Sequence, residues 1–261
     1  MDTEVSMPSE PPLETRRRAL VIGASSGIGA ALARKLAREG YKVILLARRK
    51  GLLESLQEEI NANSNDQRAY SYTHDVGNLD EIPALFQRIL KEMKRIDVCI
   101  YNAGVMPDVS GDEYTFEKDR QIILVNVLGA IAWLNQAALL FTRMGSGQIV
   151  GISSVAGDRG RVGKPVYHAS KAALTTYLEA LRNRLSRYGV NVLTVKPGVV
   201  ATDLSGIPQE SLMAISPEQA AKDIWRAMRR RKQVVYTPSR WRLIMYVIRS
   251  IPSFIFRRMS I

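Results

Sequence analysis

A chain of 261 residues, 46% hydrophobic and 24% charged, holds enough material for one large core or two small ones, and is not composed like a disordered, collagen-like or fibrous protein. The single cysteine, Cys99, excludes an internal disulfide and a cysteine-cluster metal site. The net charge of +12 sits almost wholly at one end: no acidic residue follows Asp223, while Arg226, Arg229, Arg230, Arg231, Lys232, Arg240, Arg242, Arg249, Arg257 and Arg258 do. Such confinement reads as a contact surface for an anionic partner, nucleic acid or membrane.

Residues 1–17 are acidic and proline-bearing with no apolar run, and read as a loose tail rather than a signal peptide. From Arg18 onward, short apolar β-rich runs alternate with helical periodicity, the pattern of β-α-β units around a parallel sheet. Strands are expected at Ala19–Ile22, Lys42–Leu46, Ala69–Thr73, Asp97–Tyr101, Gln148–Ser153, Asn191–Lys196 and Gln233–Tyr236. Helices are expected between them at Gly27–Glu39, Leu52–Asn61, Leu79–Lys94, Phe116–Met144, Pro165–Tyr188 and Pro217–Arg231. This predicts a single α/β domain over 18–238, a doubly wound Rossmann-type sheet of about seven strands. Cys99, in the run Val98 to Ile100, reads as a buried small hydrophobe, consistent with a reducing intracellular, cytoplasmic setting. Ser216-Pro217-Glu218 has the chemistry of a helix start, and Gly40 and Gly189 that of left-handed helix stops. No segment has the uninterrupted apolar length of a membrane-spanning helix.

The first expected strand runs into Gly23-Ala24-Ser25-Ser26-Gly27-Ile28-Gly29 and then a helix. In that setting Gly23 allows a tight turn, Gly27 lets backbone approach a pyrophosphate, and Gly29 allows close helix packing. The helix N-terminus offers N–H groups to phosphates. Arg48 and Arg49 end the second strand, where an acid would bind a ribose 2′-hydroxyl; an arginine there suits a 2′-phosphate and so NADP(H) over NAD(H). Further along, Tyr167 and Lys171 stand at i and i+4 on one helix. A nearby ammonium favours phenolate, so this spacing suits proton exchange with an alcohol or carbonyl oxygen.

In combination these residues resemble the short-chain dehydrogenase/reductase family. The likeness runs in order from about Ala19 to Thr202: the glycine-rich turn, His74-Asp75-Val76, Asn102-Ala103-Gly104, Asn126, Ser153-Ser154, Tyr167 with Lys171, and Pro197-Gly198. It implies a catalytic set of Asn126, Ser154, Tyr167 and Lys171, with hydride passing between nicotinamide and a carbonyl or alcohol carbon. Ser154 is preferred to Ser153 because it lies thirteen positions before Tyr167 (167 − 154), the family's spacing. In the implied roles Tyr167 supplies the proton and Ser154 bonds the substrate oxygen. Lys171 lowers the phenol pKa and holds the nicotinamide ribose, and Asn126 holds a relay water. Cofactor contacts are expected from Gly23, Ser25, Ser26, Gly27, Ile28, Gly29, Arg48 and Arg49, with Tyr167 and Lys171. The likeness adds Asp75 and Val76 at adenine, Asn102, Ala103 and Gly104 on the adenosine side, and Pro197, Gly198, Val200 and Thr202 toward nicotinamide. Tyr101 departs from the family, which has asparagine there. His74 and His168 lack metal-ligand or carboxylate spacing, and no metal is expected. A cofactor-binding regulatory protein is the rival reading, against which Tyr167, Lys171, Ser154 and Asn126 are all retained.

The loop Asp158–Lys164 must pass beside the substrate, and Arg159 and Arg161 are its candidate phosphate ligands against the plainer reading of solvated arginines. Residues 239–261 interleave arginines with Trp241, Leu243, Ile244, Met245, Tyr246, Val247, Ile248, Phe254, Ile255 and Phe256. They read as a basic amphipathic segment for peripheral membrane contact, with a flap over the pocket or a subunit contact as alternatives. Pro252 must interrupt any helix there. Nucleic acid is not expected. Within the family this basic loop and terminus look like reductases of polyprenyl-phosphoryl 2-keto-pentoses (decaprenylphosphoryl-2-ketoribose), implying a lipid-linked carbonyl substrate. The family likeness also implies a homodimer or homotetramer.

Overall fold

The computed structural model describes residues 17–110, 113–202, 204, 206 and 213–259; the expected tail, Arg17 excepted, lies outside them. Strands β1 (Arg18–Ile22), β2 (Lys42–Ala47), β3 (Ala69–Thr73), β4 (Val98–Tyr101), β5 (Gly147–Ile152), β6 (Val190–Pro197) and β7 (Val234–Thr237) form one parallel sheet, ordered β3-β2-β1-β4-β5-β6-β7. Helices α1 (Gly27–Arg38), α2 (Lys50–Ala62), α3 (Ile82–Met93), α4 (Phe116–Ile123), α5 (Gly129–Met144), α6 (Pro165–Leu185) and α7 (Pro217–Arg229) provide the crossovers.

The strands read as continuous apolar runs because both faces are covered, as a parallel sheet requires. Alternate residues feed two cores. Ala19, Val21, Val43, Leu45 and Ile100 pack with α1, α2 and α7, while Leu20, Ile22, Ile44, Leu46 and Cys99 pack with α3, α5 and α6. Cys99 is fully buried and its thiol is pushed up to about 12 by burial. Gly40 and Gly189 adopt φ of +90° and +70° where left-handed stops are needed. Ser216 accepts from the Gln219 amide at 3.2 Å, capping α7 ahead of Pro217.

The long helix expected over Phe116–Met144 is divided by a π-helical turn at Leu124–Leu128. Two contacts shape this turn. The buried Tyr101 phenol donates to the Val125 carbonyl, and Gly129 lies so close that a Cβ there would stand 2.7 Å from Tyr101 Oη and 2.9 Å from Val76 O. By length and composition the stretch Phe116–Met144 could cross a membrane, but Trp133, Leu134, Ala137 and Phe141 are fully buried in the core.

Beyond β7 the chain forms α8 (Arg240–Ser250) and α9 (Ser253–Phe256), interrupted at Pro252. Trp241 and Met245 are buried against Val155, with Val199, Tyr236, Ile244 and Ile248 around them. The C-terminal segment is therefore part of the packed fold, fastened near the end of the sheet that the loop after β5 also covers.

Candidate active site

The strand order reverses between β1 and β4, and ligands of such sheets bind at the carboxyl ends of the strands beside that point. There lies a cavity of about 670 Å³. The turn from β1 into α1 forms one end. Gly23 has φ of +87°, and a Cβ there would stand 2.5 Å from the Ala103 amide nitrogen; a Cβ on Gly29 would stand 2.1 Å from Gly23 O. Neither position admits a side chain without moving backbone. Asn102 Nδ2 fixes the turn by donating to Gly23 O at 2.7 Å. Ser26 makes no side-chain cap, so the first N–H groups of α1 remain for a ligand.

Arg49 bridges this turn to β2, its Nη2 donating to Ser25 Oγ at 2.9 Å and to Ser26 Oγ at 2.5 Å. Arg48 stands half exposed beside it, 3.4 Å from Asp75 Oδ2. Both arginines line the cavity, as do Ser25, Ser26, Gly27, Ile28, Val76, Asn102, Ala103 and Gly104. Asp75 instead stands behind, holding Arg48 and accepting from the Gly77 amide at 2.9 Å. Pro197, Gly198, Val200 and Thr202 also line it, Thr202 beside Gly27 of the turn. Tyr101 turns its side chain toward the π-helical turn, leaving the adenosine side to its neighbours. A glycine cradle with uncapped helix amides and two arginines fits the pyrophosphate and 2′-phosphate of a dinucleotide.

At the other end, Ser154, Tyr167 and Lys171 meet on the cavity wall. Ser153 is buried and its hydroxyl is engaged by Lys171 O at 2.9 Å and Thr175 Oγ1 at 2.8 Å. Ser154 opens a turn in extended backbone and accepts from the Ala156 amide at 3.0 Å. Lys171 is buried, donates to Ile152 O at 3.1 Å and lies 5.7 Å from the centre of the Tyr167 ring. Burial pushes the Lys171 ammonium down to about 8.

Burial raises the Tyr167 pKa, opposed by the Ser154 hydrogen bond and by the charge of Arg161. Asn126 is tied into the fold by its side-chain amide. Both its amide hydrogens are taken, by Val105 O and Ser170 Oγ at 3.1 Å each, and its Oδ1 accepts from the Val105 amide at 2.8 Å. Fully buried in the π-helical turn, it clamps the chain after Gly104.

The two loop arginines separate. Asp158 turns inward to pair with Lys196 and accepts from Tyr236 Oη at 2.8 Å. Arg159 then reaches α8, donating to the Ile248 carbonyl and, at 2.7 Å, to Ile251 O, and lies 3.7 Å over the Phe256 ring. As a substrate ligand Arg159 is therefore a correction: its guanidinium is spent on the carbonyls that end α8. Arg161 lines the cavity. His168 hydrogen-bonds Ala156 O at 2.8 Å through Nδ1, fixing the same loop. Sequence reasoning missed Trp241, whose indole walls the cavity over Gly198; a Cβ on that glycine would stand 1.9 Å from Trp241 Nε1. Its signal was an aromatic among arginines, indistinguishable along the chain from the exposed aromatics nearby.

The profile of the short chain dehydrogenase family matches residues 17–210. The chain is 37% identical over 189 residues to an uncharacterized oxidoreductase of Myxococcus xanthus, covering 72% of this chain and 74% of that protein. It is 34% identical over 192 residues to a 3-oxoacyl-[acyl-carrier-protein] reductase of Synechocystis, covering 73% and 77%. Among solved structures, a short-chain dehydrogenase from Sphingobium yanoikuyae in complex with NADPH is similar with a TM-score of 0.79 at 27% identity, over 91% of this chain and 97% of that one. Actinorhodin polyketide ketoreductase with NADPH gives 0.77 at 26%, over 85% and 95%. From the sheet order, the glycine turn and the Ser154–Tyr167–Lys171 wall to the matched profile, the chain belongs to the short-chain dehydrogenase/reductase family.

Proposed function

We propose that the protein is an NADP(H)-dependent oxidoreductase that interconverts a carbonyl compound and its alcohol. The observation that carries this is one continuous cavity with Arg48, Arg49 and the glycine turn at one end and Ser154, Tyr167 and Lys171 at the other. Bound nicotinamide supplies or accepts hydride at the substrate carbon. Ser154 hydrogen-bonds the substrate oxygen and, in reduction, Tyr167 Oη gives that oxygen its proton. The raised phenol pKa keeps Tyr167 in the protonated form that reduction consumes. Lys171 Nζ, anchored on Ile152 O, is placed for the ribose hydroxyls. Arg48 meets the 2′-phosphate that an acidic residue would repel.

The test is NADPH consumption against a panel of ketones and aldehydes, with NADH as the second cofactor. Tyr167→Phe is expected to lower kcat by about 10²–10⁴-fold while leaving NADPH affinity within a few-fold. A wild-type rate in Tyr167→Phe, or a preference for NADH, overturns the reading.

A second reading concerns where the carbonyl compound is met. On α8, whose Trp241 lines the cavity, and on α9, Leu243 and Tyr246 are 70% and 72% exposed, with Val247, Phe254 and Ile255 also open beside Arg242, Arg249, Arg257 and Arg258. Apolar side chains among unopposed cations suit an anionic lipid surface, from which a lipid-linked substrate would reach Tyr167. Equal partition of wild type and a Leu243→Glu/Val247→Glu variant onto anionic vesicles removes this reading. Self-association is supported by Leu128 and Leu139, both exposed and about three turns apart along the same helical run; light scattering of the purified protein tests it.

A further inference from the structure

Arg161 is the cation in the cavity that no described residue pairs. The cavity is lined by Arg48, Arg49, Arg161, Lys164 and Lys171, and among the described residues no aspartate or glutamate lines it. The other four are engaged: Arg48 with Asp75, Arg49 with Ser25 and Ser26, Lys164 with Asp108 at 3.1 Å, and Lys171 with Ile152 O. Arg161 is half-buried, and its Nε is enclosed with no hydrogen-bond partner. Burial lowers its guanidinium pKa, the sign of a charge stripped of part of its water. A dehydrated cation without a counter-ion among the described residues is unfavourable, and its neighbour Arg159 shows how this loop satisfies an arginine when the role is structural.

Place then decides whose anion Arg161 meets. The features suited to cofactor phosphates cluster at the α1 turn and the end of β2, whereas Arg161 lines the cavity from the loop that joins Ser154 to Tyr167, at the reacting end. The planar guanidinium matches two oxygens of a carboxylate or phosphate, which a solvated neutral group does not. We propose that Arg161 anchors an acidic group of the substrate, so that the carbonyl compound taken by this cavity carries a carboxylate or phosphate near its reacting carbon. This rests on the carbonyl-reductase reading and narrows it to anionic substrates.

Binding, measured without turnover, tests the anchor. The NADP⁺-loaded full chain is titrated calorimetrically with 4-acetylbenzoate and its neutral isostere 4-acetylbenzamide, and with dihydroxyacetone phosphate and dihydroxyacetone. At least one anion is expected to bind about tenfold or more tightly than its neutral partner, the size of a charge-assisted hydrogen bond. In Arg161→Gln that preference should vanish while NADPH affinity, read by nucleotide fluorescence, stays within about twofold. Arg161→Lys should restore more of the preference for phosphate than for carboxylate, because a point charge lacks the fork. No preference for either anion in the wild type, a preference that survives Arg161→Gln, or loss of NADPH binding in that variant each overturns the anchor. Failure of NADPH to reduce any carbonyl, with the anion preference intact, sinks the reductase reading instead.

Discussion

Lys171 is a base enclosed in the fold, and its titration carries a signature in stability. Its ordinary value is 10.5 and burial brings it to about 8. Between those values the unfolded chain binds the extra proton and the folded one does not, so stability rises with pH through that window. Below pH 8 the cofactor-free protein carries the charged form at a cost of about 3 kcal/mol. Lys171→Met should therefore be more stable than wild type at pH 7, by about 2–3 kcal/mol, and should lose the rise between pH 8 and 10.5. Urea unfolding of both proteins at pH 7 and 9.5 measures this, and a methionine variant less stable at pH 7 sinks the idea. The same substitution should abolish turnover, because the site retains this lysine at the expense of stability.

At the scale of elements, the loop from β5 to α6 and the helices α8 and α9 act together. Asp158 locks the loop to β6 and β7 through Lys196 and Tyr236, and Arg159 locks it to the C-terminal carbonyls of α8 and the Phe256 ring. Trp241 in turn closes the cavity over Gly198. Arg159→Met should leave the sheet intact but free the end of α8, costing about 1–3 kcal/mol from orphaned carbonyls and a lost charge-assisted contact. Hydrogen exchange is expected to quicken over residues 245–256 and in the loop 156–164, with the amides of β1, β4 and β5 unchanged. Exchange unaltered in both segments removes the clasp. The π-helical turn is a second local device. Tyr101 satisfies the Val125 carbonyl within it, and Asn126 there holds Val105, so a helix irregularity positions the strand end that borders the cofactor end.

Across the whole molecule, charge is distributed along the chain in a way that folding makes directional. The ten cations after Asp223 fall into two groups: those at the end of α7 and its exit, where Arg231 donates to Gly189 O ahead of β6, and those of α8 and the turn after α9, beyond the opposite end of β7; the second group shares its surface with the open apolar residues of α8 and α9. If that surface meets anionic lipid, partition onto vesicles of mixed neutral and acidic phospholipid should fall by about tenfold or more between 50 and 300 mM salt, as surface attraction is screened. Arg257→Glu/Arg258→Glu should weaken it by a similar factor at low salt, at about 1 kcal/mol per basic residue. Binding to purely neutral vesicles with the same strength and no salt dependence overturns the electrostatic part.

Periodicity by itself determined the alternation of buried strands and amphipathic helices, because a two-faced parallel sheet prints continuous apolar runs into the chain. The glycine turn was equally legible, since a backbone that passes within 2.5 Å of where a Cβ would stand admits no other residue at Gly23. Spacing placed Ser154, Tyr167 and Lys171 at one wall, since one helical turn and one short loop fix those distances locally. What only the tertiary structure decided is set by contacts between distant segments. Whether Arg159 or Arg161 faces the cavity depends on Asp158 being drawn to Lys196 and Tyr236. Whether Trp241 is surface or wall depends on Gly198 leaving room for it. The direction of the Tyr167 pKa depends on burial, which no residue spacing states: desolvation outweighs the Ser154 bond and the Arg161 charge, and it is the folded environment that sets its size.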